Sequence, residues 1–281
     1  MASSSSTRSY RWKVLRRSTT FWVGGFLVVM WVFFAIFGDI VSPYDPLGTP
    51  QDILNRLEPP SAEHWFGTDD LGRDVLSRVL AGARQVLTVA VSATILGTVL
   101  GTFLGLVIGY FGGIVDDIVS RVLDAFLSIP LVITGMIALA ALGPNTIGVI
   151  VVIGLVFTPI IAKTVRAAVL GERQLDYVTA AQLRKENSLY ILFVEILPNV
   201  FNVVIVEFTV RIGYAIFTVL ALTFLGFGIE PSVPDWGLMI NQNRQFLTGN
   251  VWWPVFFPGL AIASLVVGVN LVADATSQAF E

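Results

Sequence analysis

Residues 86–110 read VLTVAVSATILGTVLGTFLGLVIGY, with no charged side chain and with Gly97, Gly101, Gly105 and Gly109 at a spacing of four. A helix rises about 1.5 Å per residue, so this stretch matches the roughly 30 Å hydrocarbon core of a bilayer. Residues four apart share a helical face, and small residues along one face let a second helix approach closely. The glycines therefore mark a packing seam within the chain or, alternatively, a sliding surface against a partner subunit. Composition extends the reading to the whole sequence. Of its 281 residues 55% are hydrophobic and only 13% are charged, where a soluble domain carries about 25% charge, so lipid must cover much of the apolar surface.

Outward from that stretch, five more apolar runs lie near residues 21–37, 122–142, 146–165, 203–227 and 255–273. Six crossings return the two ends of the chain to one side. The tail before the first run carries Arg8, Arg11, Lys13, Arg16 and Arg17, and the same side receives Arg121, Lys163, Arg166, Arg173, Arg184 and Lys185. The other side holds Arg56, Arg73, Arg78, Arg84 and Arg244. Basic residues concentrate on cytoplasmic loops, which predicts both termini in the cytoplasm. A cleaved signal peptide has an apolar region of about 7–15 residues and a small-residue cleavage site; no such site follows Phe37, and the first run is read as a retained span. Arg16-Arg17 with Phe21 resembles a twin-arginine signal only faintly.

Several residues within the spans carry information. Pro130 and Pro159 predict kinks whose freed carbonyls neighbouring helices can satisfy. Glu207 and Arg211 stand four apart with the acid N-terminal, the favoured order for a helical ion pair; they either neutralise each other or line a pathway. Asp117, Arg121 and Asp124 form a second cluster, read as an interfacial network.

Between the first two spans runs a proline-rich loop followed by residues 67–84, GTDDLGRDVLSRVLAGAR. Leu71, Val75, Leu76, Val79 and Leu80 recur at helical spacing and predict an amphipathic helix over residues 70–82 on the outer membrane surface. Thr68 would cap it, and Asp69 and Asp70 would suit its N-terminal end. Those aspartates lack the D-x-D-x-D-G spacing of a calcium loop. In the later outer segment, Trp252 and Trp253 are expected to anchor at headgroup depth, although a docking surface would use the same residues.

What is missing excludes other chemistries. There is no cysteine, and His64 is the only histidine, so thiol catalysis, zinc-thiolate sites and His-rich metal centres lack their ligands. Net charge is −3 with no basic stripe, which argues against nucleic acid. The G-x-x-x-x-G-K-[ST] phosphate loop is absent, and the only lysines are Lys13, Lys163 and Lys185, so ATP would have to be hydrolysed elsewhere. An ion-coupled carrier would carry several midspan acids or paired broken helices; Glu207 alone is a candidate.

The longest inner loop, from Arg166 to Pro198, includes YVTAAQLRK at residues 177–185 and ILPN at residues 196–199. It resembles the EAA loop of ABC importer permeases, in which Tyr-x-Glu-Ala-Ala is followed by a glycine and then by Ile-Leu-Pro-Asn. Tyr177, Ala180, Ala181 and Ile196-Leu197-Pro198-Asn199 match, while Thr179 replaces the glutamate and Lys185 the glycine. The Gly-Thr-Asp-x-x-Gly-Arg-Asp stretch from Gly67, the Phe224-Leu-Gly-Phe-Gly and Pro234-Asp-Trp-Gly237 elements, and Pro258-Gly259 with Asn270-Leu271 resemble the C-type subunit of the dipeptide, oligopeptide and nickel branch. Ala273-Asp274-Ala275 stands where that branch has Gly-Asp-Gly.

The resemblance implies an all-α, multi-pass membrane protein of the type I ABC importer permease (MetI-like) fold with about six transmembrane helices. It implies a cytoplasmic tail over 1–20, a first helix over 21–40 and an extracytoplasmic loop with the amphipathic helix over 41–85. A five-helix core then covers 86–274, with a coupling loop at 167–200, and a cytoplasmic tail covers 275–281. The implied function is inward transport of di- or oligopeptides, with nickel as the alternative cargo. The implied partners are a second permease, one or two ATPase subunits that hold the ATP and magnesium, and an extracytoplasmic solute-binding protein. No cofactor is expected on this chain. The ATPase contact falls on Tyr177, Thr179, Ala180, Ala181, Lys185 and Glu186, where small Ala180 and Ala181 would permit close approach. With lysine in place of glycine, the turn at Lys185 is expected to be less sharp, or to offer charge to an acidic patch on the ATPase.

Overall fold

The computed structural model describes residues 18–48 and 50–280. The basic residues of the predicted N-terminal tail, Arg8 to Arg17, lie outside the described residues. Nearly all of the rest is helical, and among the described residues the only strand-like pairing is an isolated bridge between Thr68 and Asp74.

The helices in chain order are α1 (Thr19–Val41), α2 (Val75–Phe111), α3 (Gly113–Leu127), α4 (Leu131–Leu142), α5 (Thr146–Glu172) and α6 (Asp176–Leu183), then α7 (Ser188–Phe224), α8 (Trp236–Asn243) and α9 (Trp253–Phe280). Five of them, α1, α2, α5, α7 and α9, are long and apolar enough to cross a membrane, and there are six crossings if α3 and α4 form one broken span. The protein is thus a multi-pass membrane protein. The predicted 122–142 run is not one helix: α3 and α4 meet at an angle of 84°. Pro130 has no N–H, and it disfavours helical geometry at Ile129. Accordingly α3 closes with Ser128 N–H donating to the Asp124 carbonyl, and Thr134 N–H opens α4 on the Pro130 carbonyl. Pro159, in contrast, stays inside an unbroken α5. The predicted C-terminal tail from residue 275 is helical through Phe280 as a continuation of α9.

The expected amphipathic helix over residues 70–82 does not exist as a separate element. Helix starts at Val75 and runs 37 residues without interruption. Asp74, not Thr68, caps it: its Oδ2 accepts from Ser77 N–H at 2.8 Å and from Ser77 Oγ at 2.7 Å. Residues 67–74 instead form a turn that needs Gly67 and Gly72 at positive φ. A side chain at Gly67 would also meet Trp253 Cδ1 at 2.6 Å and the Glu58 carbonyl at 2.5 Å.

The chain divides into two compact units. One gathers the described residues of Met1–Ala90, Gly143–Thr146 and Ile216–Glu281; the other gathers Val91–Leu142 and Ile147–Ala215. In the first, α1 lies against α9 where two glycines meet: a Cβ on Gly24 would stand 2.8 Å from the Gly268 carbonyl. Trp31 donates from Nε1 to Ser264 Oγ at 2.9 Å across the same contact. In the second, the glycine stripe of α2 faces α5 in register. Gly97 meets Gly154, Gly101 meets Ile161, Gly105 meets Ala162 and Val165, and Gly109 meets Val169. Residue numbers rise together along both helices, so this seam is parallel. A methyl group at any of the four would lie 2.7–2.8 Å from an α5 atom.

Candidate functional site

The segment expected to meet the ATPase is built on a short helix. Two turns of α6 end in a capped C-terminus: Lys185 N–H donates to the Gln182 carbonyl at 2.9 Å and Glu186 N–H to the Ala181 carbonyl at 3.2 Å. This double closure requires a left-handed residue between cap and exit, a place glycine usually fills. Here it is Lys185, with φ +58°. The expectation of a less sharp turn is therefore wrong; the backbone makes the glycine-type turn with a lysine, at a steric cost of about 1–2 kcal/mol.

Both expected to permit close approach of the ATPase, Ala180 and Ala181 differ in the structure. Ala181 is fully buried together with Val178, whereas Ala180, Thr179 and Lys185 are exposed and Leu183 is 79% exposed. The face that a partner can reach is therefore Thr179, Ala180 and Leu183, bordered by Lys185. Tyr177 ties the helix back to α5 by donating from its hydroxyl to Glu172 Oε2 at 2.7 Å. Burial, reinforced by that carboxylate, pushes the Tyr177 phenol up to about 12. Arg184 reaches Glu195 at 3.3 Å and Glu186 at 3.5 Å, so Glu186 belongs to a surface ion network.

Beyond the turn, α7 begins with a wide, π-type turn over Ile191–Ile196, in which Leu197 N–H reaches back to the Leu192 carbonyl. Pro198 supplies no N–H, and the local widening of the helix accommodates its ring. Asn199 Nδ2 donates to the Glu195 carbonyl at 2.8 Å. The four matched residues 196–199 thus form the junction between the exposed segment and a long membrane helix.

Farther along α7, Arg211 Nε donates to Glu207 Oε2 at 2.9 Å, and the Arg211 guanidinium lies 5.3 Å from the Tyr214 ring centre. The predicted pair forms. Between α2 and α7 an apolar cavity of about 420 Å³ is walled by Phe193, Phe201 and Phe208 and by Thr98 and Thr102; the two threonine hydroxyls have no hydrogen-bond partner among the described residues. Sequence reasoning missed two other ion pairs. Arg166 of α5 grips Asp116 of α3 in a two-bond fork at 2.5 and 2.6 Å, and Lys163 pairs with Asp124. Of the Asp117, Arg121 and Asp124 cluster, only Asp124 is in one of these pairs. The signal was available as acids at 116 and 124 on one helical face and bases at 163 and 166 on another.

The Gly67–Asp74 turn holds its own charges. Asp69 Oδ1 accepts from the N–H groups of Leu71 and Arg73, both at 2.9 Å, and Oδ2 accepts from Arg73 Nε at 2.8 Å. Fully buried Arg78 approaches the same Oδ2 at 3.5 Å and donates to the Pro46 carbonyl at 2.9 Å. His64 Nδ1 lies 2.9 Å from Asp74 Oδ1. Arginines thus occupy the aspartates that a calcium loop would need. Trp253 is buried against the protein and donates from Nε1 to the Thr68 carbonyl at 3.0 Å, whereas Trp252 is half exposed. Likewise Trp236 is fully buried and donates to the Val79 carbonyl at 2.9 Å, while Asp235 caps α8 through Leu238 N–H. Burial raises the carboxyl pKa of both Asp70 and Asp235.

Comparison with known proteins agrees with this architecture. Residues 97–281 match the family of binding-protein-dependent transport system inner membrane components. The chain belongs to that family. Residues 6–60 of this transport component match the N-terminal transmembrane domain of oligopeptide transport permease C. Among its relatives, the dipeptide transport system permease protein DppC of Escherichia coli (strain K12) is 41% identical over 96% of this chain and 91% of its own length. The di/tripeptide transport system permease protein DppC of Pseudomonas aeruginosa (strain UCBPP-PA14) is 36% identical over 92% and 87%. DppC of Alkalihalophilus pseudofirmus is 36% identical over 96% and 88%.

Proposed function

We propose that this chain is a permease subunit of an ATP-driven importer that carries di- or oligopeptides across the cytoplasmic membrane into the cell. The observation that carries the reading is the near full-length likeness to dipeptide transport permeases, 41% identical over 96% of the chain in one case. The translocation path forms with a second permease subunit, and an extracytoplasmic binding protein delivers the peptide. ATP and magnesium are held by one or two separate ATPase subunits, and no cofactor is bound by this chain. Both termini face the cytoplasm.

The local geometry supports a mechanism. A two-turn helix with an exposed face of Thr179, Ala180 and Leu183 is well shaped to enter a groove on an ATPase subunit. Its motion passes to α5 through the Tyr177–Glu172 bond and to α7 through the junction at residues 191–199. Since α5 and α2 are locked along the glycine seam, a displacement of α5 is shared with α2. The Glu207–Arg211 pair keeps α7 electrically neutral within the membrane and offers a polar contact along the path.

Reconstitution tests the reading. The chain, its companion permease, the ATPases and the binding protein in vesicles should take up a labelled dipeptide only with ATP and magnesium. Uptake by this chain alone without ATP would overturn the proposal.

A further inference from the structure

Helix α3 is exposed on two chemically different sides. Ile114, Ile118, Val122 and Phe126 are all exposed, at a spacing of four that puts them on one stripe, with Ile114 at 77%. Asp117 and Arg121 are exposed on the adjoining side. The third side is held to the protein: Leu123 packs in a buried cluster with Ile108 and Ala162, Asp116 is gripped by Arg166, and Asp124 is paired with Lys163. A helix lying in water has no use for four exposed apolar side chains in a row, and a helix crossing hydrocarbon has none for exposed Asp117 and Arg121.

The level at which α3 crosses α5 resolves this. From Thr146 to Ala162, α5 carries no charge, and Lys163 is its first charged residue. That uncharged stretch is about 25 Å long at 1.5 Å per residue, close to the thickness of a hydrocarbon core. Helix α3 crosses where it ends, between Ala162 and Arg166. After the 84° elbow, α4 is apolar throughout and runs back along the uncharged part of α5. Beneath the elbow an apolar cleft of about 330 Å³ opens between Leu131, Thr134 and Ala138 of α4 and Val152, Val156 and Pro159 of α5.

We propose that α3 lies flat in the interface of the phospholipid bilayer, with the stripe Ile114, Ile118, Val122 and Phe126 among acyl chains and Asp117 and Arg121 among headgroups, and that an acyl chain fills the cleft beneath its elbow. Exposed charges flanking an apolar stripe match the graded polarity of a membrane surface; the core of a protein–protein interface is depleted of them. The inference requires only that the chain spans a bilayer, not that it carries peptides.

The sequence has no cysteine, so single-cysteine spin labels can be placed in the assembled complex in phosphatidylethanolamine–phosphatidylglycerol vesicles. Labels at Ile118→Cys and Val122→Cys should collide several-fold more readily with oxygen than with a water-soluble nickel chelate. Labels at Asp117→Cys and Arg121→Cys should show the reverse order. Ile114→Cys and Phe126→Cys provide a second pair on the stripe if either central variant fails to assemble. An environment-sensitive fluorophore attached at Thr134→Cys should be quenched by vesicles with nitroxide-labelled acyl chains. Stripe labels shielded from both reagents would mean that protein covers α3, and stripe labels open to the chelate would place it in water. Either result, or a fluorophore at residue 134 that nitroxide-labelled lipid leaves unquenched, overturns the proposal. None of these readings depends on transport, so they stand apart from any failure of peptide uptake.

Discussion

Two short segments outside the long helices, the turn at residues 67–74 and the proposed coupling segment at residues 176–186, are built on opposite principles. In the first, most polar groups are committed to the chain itself, with Asp70 Oδ1 and Arg73 Nη2 the buried side-chain atoms of the turn that make no hydrogen bond among the described residues. Asp69 accepts from two backbone N–H groups and from Arg73, Asp74 holds Ser77 and His64, and the Thr68 carbonyl takes the Trp253 indole. The second has one buried edge, Val178 and Ala181, and leaves Thr179, Ala180, Leu183 and Lys185 in the open. A segment whose bonds are all internal is a brace. One held by a single edge, with a strained lysine at its exit, has surface left for a partner.

The largest effect is expected just beyond the brace, on the first turns of α2. Trp236 fills space beside Gly82 and donates to the Val79 carbonyl. Trp236→Ala should cost about 3–5 kcal/mol and remove most folded protein, read as yield and as the melting temperature of the purified chain. Asp69→Asn comes next: it strips the counter-charge from two buried arginines, and losing one partner of a buried pair costs about 3–5 kcal/mol. Asp235→Asn is the control. Burial already favours a neutral Asp235, and asparagine can still accept from Leu238 N–H, so the change should stay within about 1 kcal/mol. Because the folded Asp235 pKa is raised, its contribution to stability is fully present below the unfolded value and fades as pH rises through the folded one. Asp235→Asn should flatten that part of the pH profile. If Asp69→Asn proves as mild as Asp235→Asn, the turn is not a brace.

At the coupling segment two adjacent alanines sharpen the contrast. Ala181→Asp puts a charge against the chain's own interior, at a cost of about 2–3 kcal/mol because a short segment can shift and hydrate it. Ala180→Asp should leave melting unchanged within about 0.5 kcal/mol, yet reduce co-purification of ATPase subunits and uncouple ATP hydrolysis from uptake. Equal melting losses for both would put the buried edge of α6 elsewhere. Normal uptake with Ala180→Asp would remove the exposed face from the coupling mechanism.

Periodicity made the membrane architecture legible, because hydrocarbon imposes one rule on every residue it touches. The α2 glycines and the Glu207–Arg211 pair could be read for the same reason: each depends on spacing within one helix. What spacing could not supply was context between segments. Leu71, Val75 and Val79 fit an amphipathic helix, but the Asp74 cap and positive-φ glycines at 67 and 72 start the helix later and carry it on into α2. Asp117, Arg121 and Asp124 pointed to an interfacial stretch; the bases that hold α3 to α5, Lys163 and Arg166, lie about forty residues on or more and became visible only in three dimensions. For the candidate site, the segment was readable from Tyr177 to Asn199, whereas which alanine faces outward depends on what packs beneath it.

The smallest expected effect tests whether the lysine at the exit of α6 is merely tolerated. Lys185 adopts φ +58°, which costs a non-glycine residue about 1–2 kcal/mol, while glycine gives back part of that through its freer unfolded chain. Lys185→Gly should therefore stabilise by about 0.5–1 kcal/mol, and Lys185→Val, with a β-branched side chain forced into the same conformation, should lose at least as much. A gain in melting temperature with unchanged uptake and unchanged salt dependence would mean that the charge has no role. The expected result is different. The exposed ammonium borders the apolar face of Ala180 and Leu183, where a carboxylate on the ATPase can meet it, so Lys185→Gly should melt higher and yet hold its ATPase subunits less tightly at low salt. Raising the ionic strength should narrow that difference, because an exposed ion pair is screened over roughly 10 Å at 0.1 M salt.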